Sequence, residues 1–390
     1  MKLPNIPMEN IISGFVTSFA FTYLAIPPVI KIANERHLCD VPGERSSHFV
    51  ATPTLGGVGI FTGILIALFM WVPFANHQFL QYLVGALFII FVVGLKDDLE
   101  PMDAKKKLIA QMITAFLIVY ACDIRIESMH GLLGFHSDFP YWFSLLVSGF
   151  TVLVIMNAFN LIDGINGLSA SIGILVSTIL GIWFFNTEQP AFAILAAITT
   201  AAYLAFLRYN IMPPTRTFMG DTGSLILGTI TATLVIQFIT SNAALNIGHM
   251  FHLQSIAAVS MTVVVVPLFD TLRVFATRMA RGHSPLMPDR RHIHHLLVDY
   301  GFTHAQATGV LVTFNAGMIL FAFIGQNYLE QHLILGIVLL CAGLGTLYFH
   351  RAVNRKREDK KKILQLNSYR SGRLSSRKEE EKELARRKAY

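Results

Sequence analysis

The chain has 390 residues, of which 53% are hydrophobic and only 14% are charged. A soluble domain carries about 25% charged residues, so this composition excludes an ordinary soluble protein. The formal net charge is +7, and we expect a membrane partner rather than a nucleic acid. Cys39, Cys122 and Cys341 are scattered along the chain and odd in number, which indicates neither a disulfide framework nor a thiolate metal site.

Repeated apolar runs are long enough to cross the roughly 30 Å of hydrocarbon in a bilayer. They predict an all-α fold, a polytopic membrane helix bundle with about eleven spans. The predicted spans cover about 11–33, 55–74, 79–95, 108–122, 141–158, 168–185, 190–207, 224–240, 256–276, 304–324 and 332–350. The first of them is too long for a signal-peptide core and lacks a small-residue cleavage pattern, so we expect it to be retained.

Lysine and arginine are sorted between the two sides of this arrangement. Only Lys2 and Arg125 fall on one side, and the other 29 of the 31 basic residues lie on or beside the opposite side. The positive-inside rule places the basic side in the cytoplasm, with the N-terminus outside and the C-terminus inside. We divide the chain into a transmembrane domain, 1–350, and a basic cytoplasmic tail, 351–390, that is expected to lie near anionic headgroups.

The polar clusters of the sequence follow the same sorting. All five of them fall on the cytoplasmic side: Arg45–His48, Asp97-Asp98, Asn157–Gly167, Gly220–Ser224 and Asp289–His295. The positive-inside rule does not require this, because it concerns only lysine and arginine. The loops of 1–350 therefore predict one composite polar site at the cytoplasmic membrane face.

Asp97 and Asp98 directly follow an apolar run. Adjacent carboxylates repel each other unless a cation or a hydrogen-bond donor relieves the repulsion. Mg²⁺ bound together with phosphate would supply that relief, and an exposed helix cap is the alternative. Lys105, Lys106 and Lys107 follow in the same loop and suit a phosphate, although anchoring at the cytoplasmic face explains any one of them equally well.

Two glycine-containing clusters come next along the chain. The Asn157–Gly167 stretch combines three amides, one carboxylate and two glycines, which suits close approach to a ligand but also suits a polar turn. The Gly220–Ser224 cluster places Asp221 between glycines at a predicted helix start. This pattern is typical of a compact anion or metal site, and an N-cap role for Asp221 is the structural alternative.

His292, His294 and His295 follow two arginines, Arg290 and Arg291. Three histidines suggest zinc, but no cysteine or acidic pattern of a zinc site completes the set. The adjacent arginines favour recognition of a phosphate or a diphosphate. Pairing of the histidines with lipid headgroups or backbone carbonyls is the structural alternative.

Taken together, the five clusters, from about Leu38 to Leu297, resemble the polyprenyl-phosphate N-acetylhexosamine-1-phosphate transferases in family order. The resemblance implies an eleven-helix bundle in the bacterial inner membrane with a cytoplasmic active site. It also implies a Mg²⁺-dependent reaction, in which Mn²⁺ can substitute, between a UDP-sugar donor and a polyprenyl phosphate acceptor. UMP would be released, the product would initiate a cell-envelope glycan, and a homodimer is left open.

The resemblance assigns a role to most of the candidate site residues. Asp97 and Asp98 match the paired catalytic aspartates, and Asn160 and Asp221 match the magnesium ligands. The candidate substrate-binding residues are Lys107, Asp163, Asn166, Arg290, His292, His294 and His295. Whether the paired aspartates act as a base or position the metal and phosphate stays open, because a lipid phosphate with a second pKa of about 6 is already largely ionised at neutral pH.

Two departures from the family pattern bear on the substrate. Asn166 stands where bacterial members commonly carry Asp, and the Arg45–His48 cluster lacks the second basic residue that many relatives have. The Ser284–His295 loop resembles that of enzymes using UDP-N-acetylglucosamine.

Two kinds of alternative function remain. Within the enzymes, the chain could be a phospho-N-acetylmuramoyl-pentapeptide transferase or could use another UDP-N-acetylhexosamine donor. Outside the enzymes, the alternative is a secondary transporter, which would need polar residues near the bilayer midplane.

Overall fold

A computed structural model of the chain describes residues 8–40, 52–74, 77–212, 216–282 and 292–388. The described residues are predominantly helical, which confirms the all-α prediction. The helices are α1 Met8–Glu35, α2 Gly56–Trp71, α3 Phe79–Leu99, α4 Ala104–Phe116, α5 Tyr141–Ile162, α6 Leu168–Asn186, α7 Pro190–Ile211, α8 Gly220–Ala243, α9 Ile256–Val263, α10 Val265–Met279, α11 Ile293–Tyr300, α12 His304–Gly325 and α13 Gln331–Lys388. A π-turn, Leu117–Ala121, extends α4, and the two-residue strands β1, Cys39–Asp40, and β2, Thr52–Pro53, pair antiparallel.

Eight helices in the described part of the chain are long and apolar enough to cross a membrane, and the bent pair α9 and α10 makes a ninth. The other two predicted spans correspond to α2, which has 16 residues, and to α4 with its π-turn. The count of eleven spans and the orientation of the termini therefore stay predictions. The division of the chain at 350 also stays a prediction, since α13 continues without a break from the apolar segment into the basic tail.

The central helix of the bundle is α8, where 94% of the most apolar stretch is buried against other helices. Two of its buried threonines satisfy their hydroxyl groups within the helix: Thr229 donates to the Leu225 carbonyl at 2.7 Å, and Thr233 donates to the Thr229 carbonyl at 2.9 Å. A helix that is apolar on all sides belongs in the interior of a bundle. The start of α8 consequently lies among α2, α3 and α5, which all pack against it.

Glycine allows α3 to approach the start of α8 very closely. A Cβ atom at Gly94 of α3 would lie 2.6 Å from the Thr222 Cα atom, a distance that real Cβ atoms do not adopt. Because Asp98 lies one helical turn beyond Gly94, the close approach brings its carboxylate to the first turn of α8. The glycine therefore positions a site residue that is four positions away.

The ninth predicted span is broken rather than continuous, since α9 and α10 meet at Val264 with a bend of 80°. Pro267 accounts for the break, because it has no N–H group and its ring clashes with the carbonyl four residues earlier, that of Val263. Asn315 of α12 replaces the lost helical contacts. Its Nδ2 donates to the Val263 carbonyl at 3.1 Å, and its Oδ1 accepts the Val266 N–H at 3.2 Å.

The charge sorting makes a testable prediction about topology. In a variant whose three native cysteines are replaced by alanine, a cysteine introduced at the exposed Asn246 should react with a membrane-impermeant maleimide added to intact cells. A cysteine at the exposed Lys361 should react only after the cells are opened, because the basic residues hold that end in the cytoplasm. Labelling of Lys361→Cys from outside would overturn the orientation and the cytoplasmic site together.

Candidate active site

The carboxylate of Asp98 caps α8 from the neighbouring helix α3. Its Oδ1 accepts the Asp221 N–H at 2.7 Å, and its Oδ2 accepts the Thr222 N–H at 3.0 Å as well as the Thr222 hydroxyl. The first N–H groups of a helix have no partner within the helix, and the helix dipole favours a negative charge beside them. Gly220 has a φ of +69° and leaves the space that the Asp98 carboxylate occupies.

Lys107 of α4 connects two further carboxylates. Its ammonium group donates to Asp97 Oδ2 at 3.0 Å and also contacts Asp221 Oδ2. Asp97 Oδ1 accepts the Met102 N–H at 2.6 Å, which fixes the turn between α3 and α4. Asp103 then begins α4 by accepting the Lys105 N–H at 2.9 Å, so that Lys107 lies in the first turn of the helix.

Asn160 of α5 reaches the same carboxylate from another direction. Its Nδ2 donates to Asp221 Oδ1 at 2.6 Å and to the Ser224 hydroxyl at 2.9 Å. Asp221 is therefore the point at which side chains from α3, α4, α5 and α8 meet. We call the five connected residues the Asp221 network: Asp97, Asp98, Lys107, Asn160 and Asp221.

Asp163 lies just beyond the end of α5, next to this network. Burial, with added repulsion from the Asp221 and Asp98 carboxylates, raises the pKa of the Asp163 carboxyl to about 8. Among the described residues, four carboxyl groups thus share this region with the ammonium group of Lys107. Such an arrangement favours the arrival of a further cation.

The donor set of the site fits magnesium bound together with a diphosphate. Asp221 has a carboxylate and Asn160 has an amide oxygen, and Mg²⁺ prefers oxygen ligands of this kind. In the structure the Asp221 carboxylate is contacted by the Asn160 amide N–H group and by the Lys107 ammonium group. Among the described residues, no group of three or more His, Cys, Asp or Glu side chains is arranged to hold a metal ion. Mg²⁺ does not need such a group, since proteins commonly bind it through one or two carboxylates while substrate phosphates and water complete its shell.

The rest of the Asn157–Gly167 stretch is held by neighbouring helices. The Asn166 carbonyl accepts the Thr308 hydroxyl of α12 at 2.9 Å, and the Gly167 N–H donates to Asn210 Oδ1 of α7 at 2.6 Å. The Asn166 side chain is half-buried. The first amide of the stretch does not join the Asp221 network, because Asn157 exchanges hydrogen bonds with Gln111 of α4 at 3.0 and 3.1 Å.

We call residues His292–His295 the histidine segment. The His292 and His294 rings are parallel to within 9°, and the centroids of the His294 and His295 rings lie 4.2 Å apart. His294 is only 1% exposed, and burial, together with repulsion from His295, lowers the pKa of its imidazole well below the usual value. It is therefore neutral at physiological pH.

Gly164 brings the histidine segment to the Asn157–Gly167 stretch. A Cβ atom at Gly164 would overlap with the Nε2 atom of His294. Gly164 follows Asp163, which interacts electrostatically with Asp221 and Asp98. The structure thus places the histidines, the amide stretch and the Asp221 network side by side, as the sequence predicts.

Two parts of the predicted site lie outside the described residues: the Arg45–His48 cluster, and Arg290 with the adjoining Arg291. One residue that the sequence analysis missed is Asp270 of α10, which accepts hydrogen bonds from His292 Nδ1 at 2.8 Å and from the Ile293 N–H at 2.9 Å. A usable signal was present, because a lone carboxylate within a predicted membrane span is by default a functional candidate.

Comparisons with known proteins identify similar chains. The model of the family described as glycosyl transferase family 4 matches residues 80–239. A probable undecaprenyl-phosphate N-acetylglucosaminyl 1-phosphate transferase of Bacillus subtilis is 30% identical over 326 residues, which cover 80% of this chain and 83% of the relative. The undecaprenyl-phosphate alpha-N-acetylglucosaminyl 1-phosphate transferase of Yersinia pestis is 28% identical over 332 residues, covering 84% and 87%.

Proposed function

Because the chain belongs to glycosyl transferase family 4, we propose that it transfers N-acetylglucosamine 1-phosphate from UDP-N-acetylglucosamine to undecaprenyl phosphate and releases UMP. The reaction takes place at the cytoplasmic face of a bacterial inner membrane and initiates a cell-envelope glycan. The observation that carries the proposal is the Asp221 network, which brings side chains of four helices together at one end of α8. A lipid-borne phosphate can meet a water-soluble donor at such a site.

The reaction forms one bond and breaks one. An oxygen of the lipid phosphate attacks the sugar-side phosphorus of the donor, and the bond from that phosphorus to the bridging oxygen breaks. UMP leaves with the bridging oxygen, in line with the attack. Both reactants are anionic, so the residues of the site must chiefly neutralise charge and hold the two phosphates in line.

The residues in and around the Asp221 network have different roles in this reaction. Asp221, assisted by Asn160, would hold Mg²⁺, which neutralises the donor diphosphate and the departing UMP when it is bound. Lys107 provides an ammonium group beside Asp221 that can bind a phosphate oxygen. By the family resemblance, Asn166 would contact the nucleotide of the donor. The histidine segment would contact the diphosphate and the sugar.

Asp98 serves the reaction by holding the start of α8 in place. Both of its oxygens already accept hydrogen bonds from the first residues of that helix. The acceptor phosphate, with a second pKa of about 6, is largely ionised at neutral pH and needs little help from a base. The positioning role therefore agrees with both the geometry and the chemistry.

A donor panel tests the proposed function. Purified full-length protein with undecaprenyl phosphate and Mg²⁺ should release UMP from UDP-N-acetylglucosamine, and EDTA should stop the release. UDP-N-acetylgalactosamine and UDP-N-acetylmuramoyl-pentapeptide should support much slower release. A preference for the pentapeptide donor would favour the peptidoglycan enzyme instead, and UDP-sugar exchange across vesicles without any UMP release would favour a transporter.

The contact between Gly164 and His294 gives a second testable prediction. Gly164→Ala should lower turnover at least about tenfold, because the added methyl group must displace the buried His294 ring. Gly149→Ala is the matched control, since a Cβ atom there meets nothing within 4 Å. The rate of UMP release measures the turnover of both variants. Equal rates for the two would show that the position of His294 is unimportant for turnover.

A further inference from the structure

Asp270 is a buried carboxylate that has no role in the reaction steps described above. It lies on α10, one turn and a half beyond the bend at Val264, and it is 1% exposed. Three donors surround it: His292 Nδ1 at 2.8 Å, the Ile293 N–H at 2.9 Å and Arg273 Nη2 at 2.7 Å. A buried carboxylate that is satisfied this completely is held in one orientation.

Two of these three contacts hold the histidine segment. His292 is the N-cap residue of α11, yet its own side chain makes no capping hydrogen bond. Asp270 replaces that cap from another helix by accepting the Ile293 N–H with Oδ1, while Oδ2 accepts from the His292 ring. A negative charge at this position also suits the N-terminal end of the helix dipole. Asp270 thus fixes both the backbone and a side chain of the segment.

The contact with the ring has a chemical consequence. An ionised carboxylate can only accept, so the Nδ1 atom of His292 carries a proton and Nε2 is the ring atom left for another partner. The His292 ring stacks in parallel on that of His294, with centroids 5.7 Å apart. By fixing the His292 ring, Asp270 therefore also restricts the orientation of the His294 ring.

We propose that Asp270 is a positioning residue of the transferase: it fixes the tautomer and orientation of His292 so that Nε2 meets the anionic donor. This inference rests on the proposed function, which gives the histidine segment its substrate. The helix α10 also packs against α5, the helix that carries Asn160. Asp270 consequently holds the histidines at a fixed place relative to the Asp221 network.

A purely structural role makes a different prediction. If Asp270 served only as the ion-pair partner of Arg273, removing either member of the pair would disturb the enzyme equally. Arg273→Gln is accordingly the matched control, because it removes the ion pair with Asp270 Oδ1 and keeps both partners of the hydrogen bond between His292 and Asp270 Oδ2. Thermal unfolding and gel filtration in detergent identify any variant that does not fold.

A double-mutant cycle tests the proposal by turnover. Asp270→Asn should lower kcat/KM about hundredfold, because its amide group favours the wrong histidine tautomer, and Arg273→Gln should lower it less than about threefold. In a His292→Gln background, Asp270→Asn should cost less than about a further twofold, since its effect passes through the missing ring. Equal losses from Asp270→Asn in both backgrounds would overturn the proposal, and so would near-normal turnover of the single variant.

Amide hydrogen exchange tests the same connection without turnover. In Asp270→Ala, peptides covering 293–300 should exchange at least about threefold faster than in the wild-type protein, whereas Arg273→Gln should leave their exchange nearly unchanged. Unchanged exchange in Asp270→Ala would contradict the positioning role, whatever reaction the protein catalyses. A wild-type protein that releases no UMP from any donor would instead contradict the proposed function and leave the exchange result to decide the role of Asp270.

Discussion

Asp221→Asn is expected to reduce turnover to below about 1% of the wild-type rate, a barrier increase of about 2.7 kcal/mol. Asp221 is the residue that both Lys107 and Asn160 contact, and the substitution removes its negative charge while keeping its shape. The protein should still fold, because Asp98 binds the backbone N–H of this residue rather than its side chain. UMP release at saturating Mg²⁺ measures the effect.

An aspartate outside the network provides the control for this substitution. Asp299 pairs with Arg357 at 2.6 Å on the exposed side of α11. Exposed ion pairs contribute at most about 1 kcal/mol, so Asp299→Asn should leave turnover within about twofold of wild type. If Asp221→Asn kept more than about a tenth of the wild-type rate, Asp221 could not be the principal metal ligand.

Asp98→Asn should lower turnover about ten- to hundredfold, and this loss should not shrink as the pH rises from about 6 to 9. The carboxylate accepts three hydrogen bonds, from Asp221 and Thr222. An amide has only one oxygen, so its NH₂ group would face a donor, and the start of α8 would shift. Because this loss is geometric, it does not depend on the ionisation of the acceptor.

The pH–rate profile separates this account from general-base catalysis. If Asp98 or Asp97 removed a proton from the lipid phosphate, the Asn variants would lose most at low pH, where that phosphate still carries its second proton. The loss would then shrink above about pH 7 as the acceptor ionises by itself. Rates that recover toward wild type at high pH would contradict the positioning role and restore the base.

Asp98 and Asp270 each cap the start of a neighbouring helix in the site. Each is a buried or largely buried carboxylate on one helix that accepts backbone N–H groups at the start of another: α8 for Asp98 and α11 for Asp270. Both capped helices carry site residues in their first turn. Helix ends near a membrane surface need such partners, because their free N–H groups are costly when they are buried without one.

The sequence was sufficient for the fold class. Apolar run length predicts helices, and helix parity predicts that the polar clusters lie on one side of the bundle. In the structure Asp98 of one cluster contacts Asp221 of another. The sequence was not sufficient for the pairing of individual side chains. Asn157 and Asn160 are three residues apart in one stretch, yet the first contacts Gln111 and the second contacts Asp221. Only the rotation of α5 against its neighbours decides between them.

The break between α9 and α10 and the role of Asp270 were missed for different reasons. Pro267 was visible in the sequence, but a proline within an apolar run can bend a span slightly or break it, and the outcome depends on a partner such as Asn315. Asp270 stands alone in its run, 22 residues before His292, so no local spacing connects the two. Their contact arises only once α10 has turned away from α9.

A radioactive label on the β-phosphorus of UDP-N-acetylglucosamine follows the atom whose transfer defines the proposed reaction. With purified protein, undecaprenyl phosphate and Mg²⁺, the label should appear in the lipid product together with the sugar, and the released nucleotide should be unlabelled UMP. Asp221→Asn should abolish the labelled lipid. Release of the label as UDP, with the sugar alone transferred to the lipid, would contradict the account.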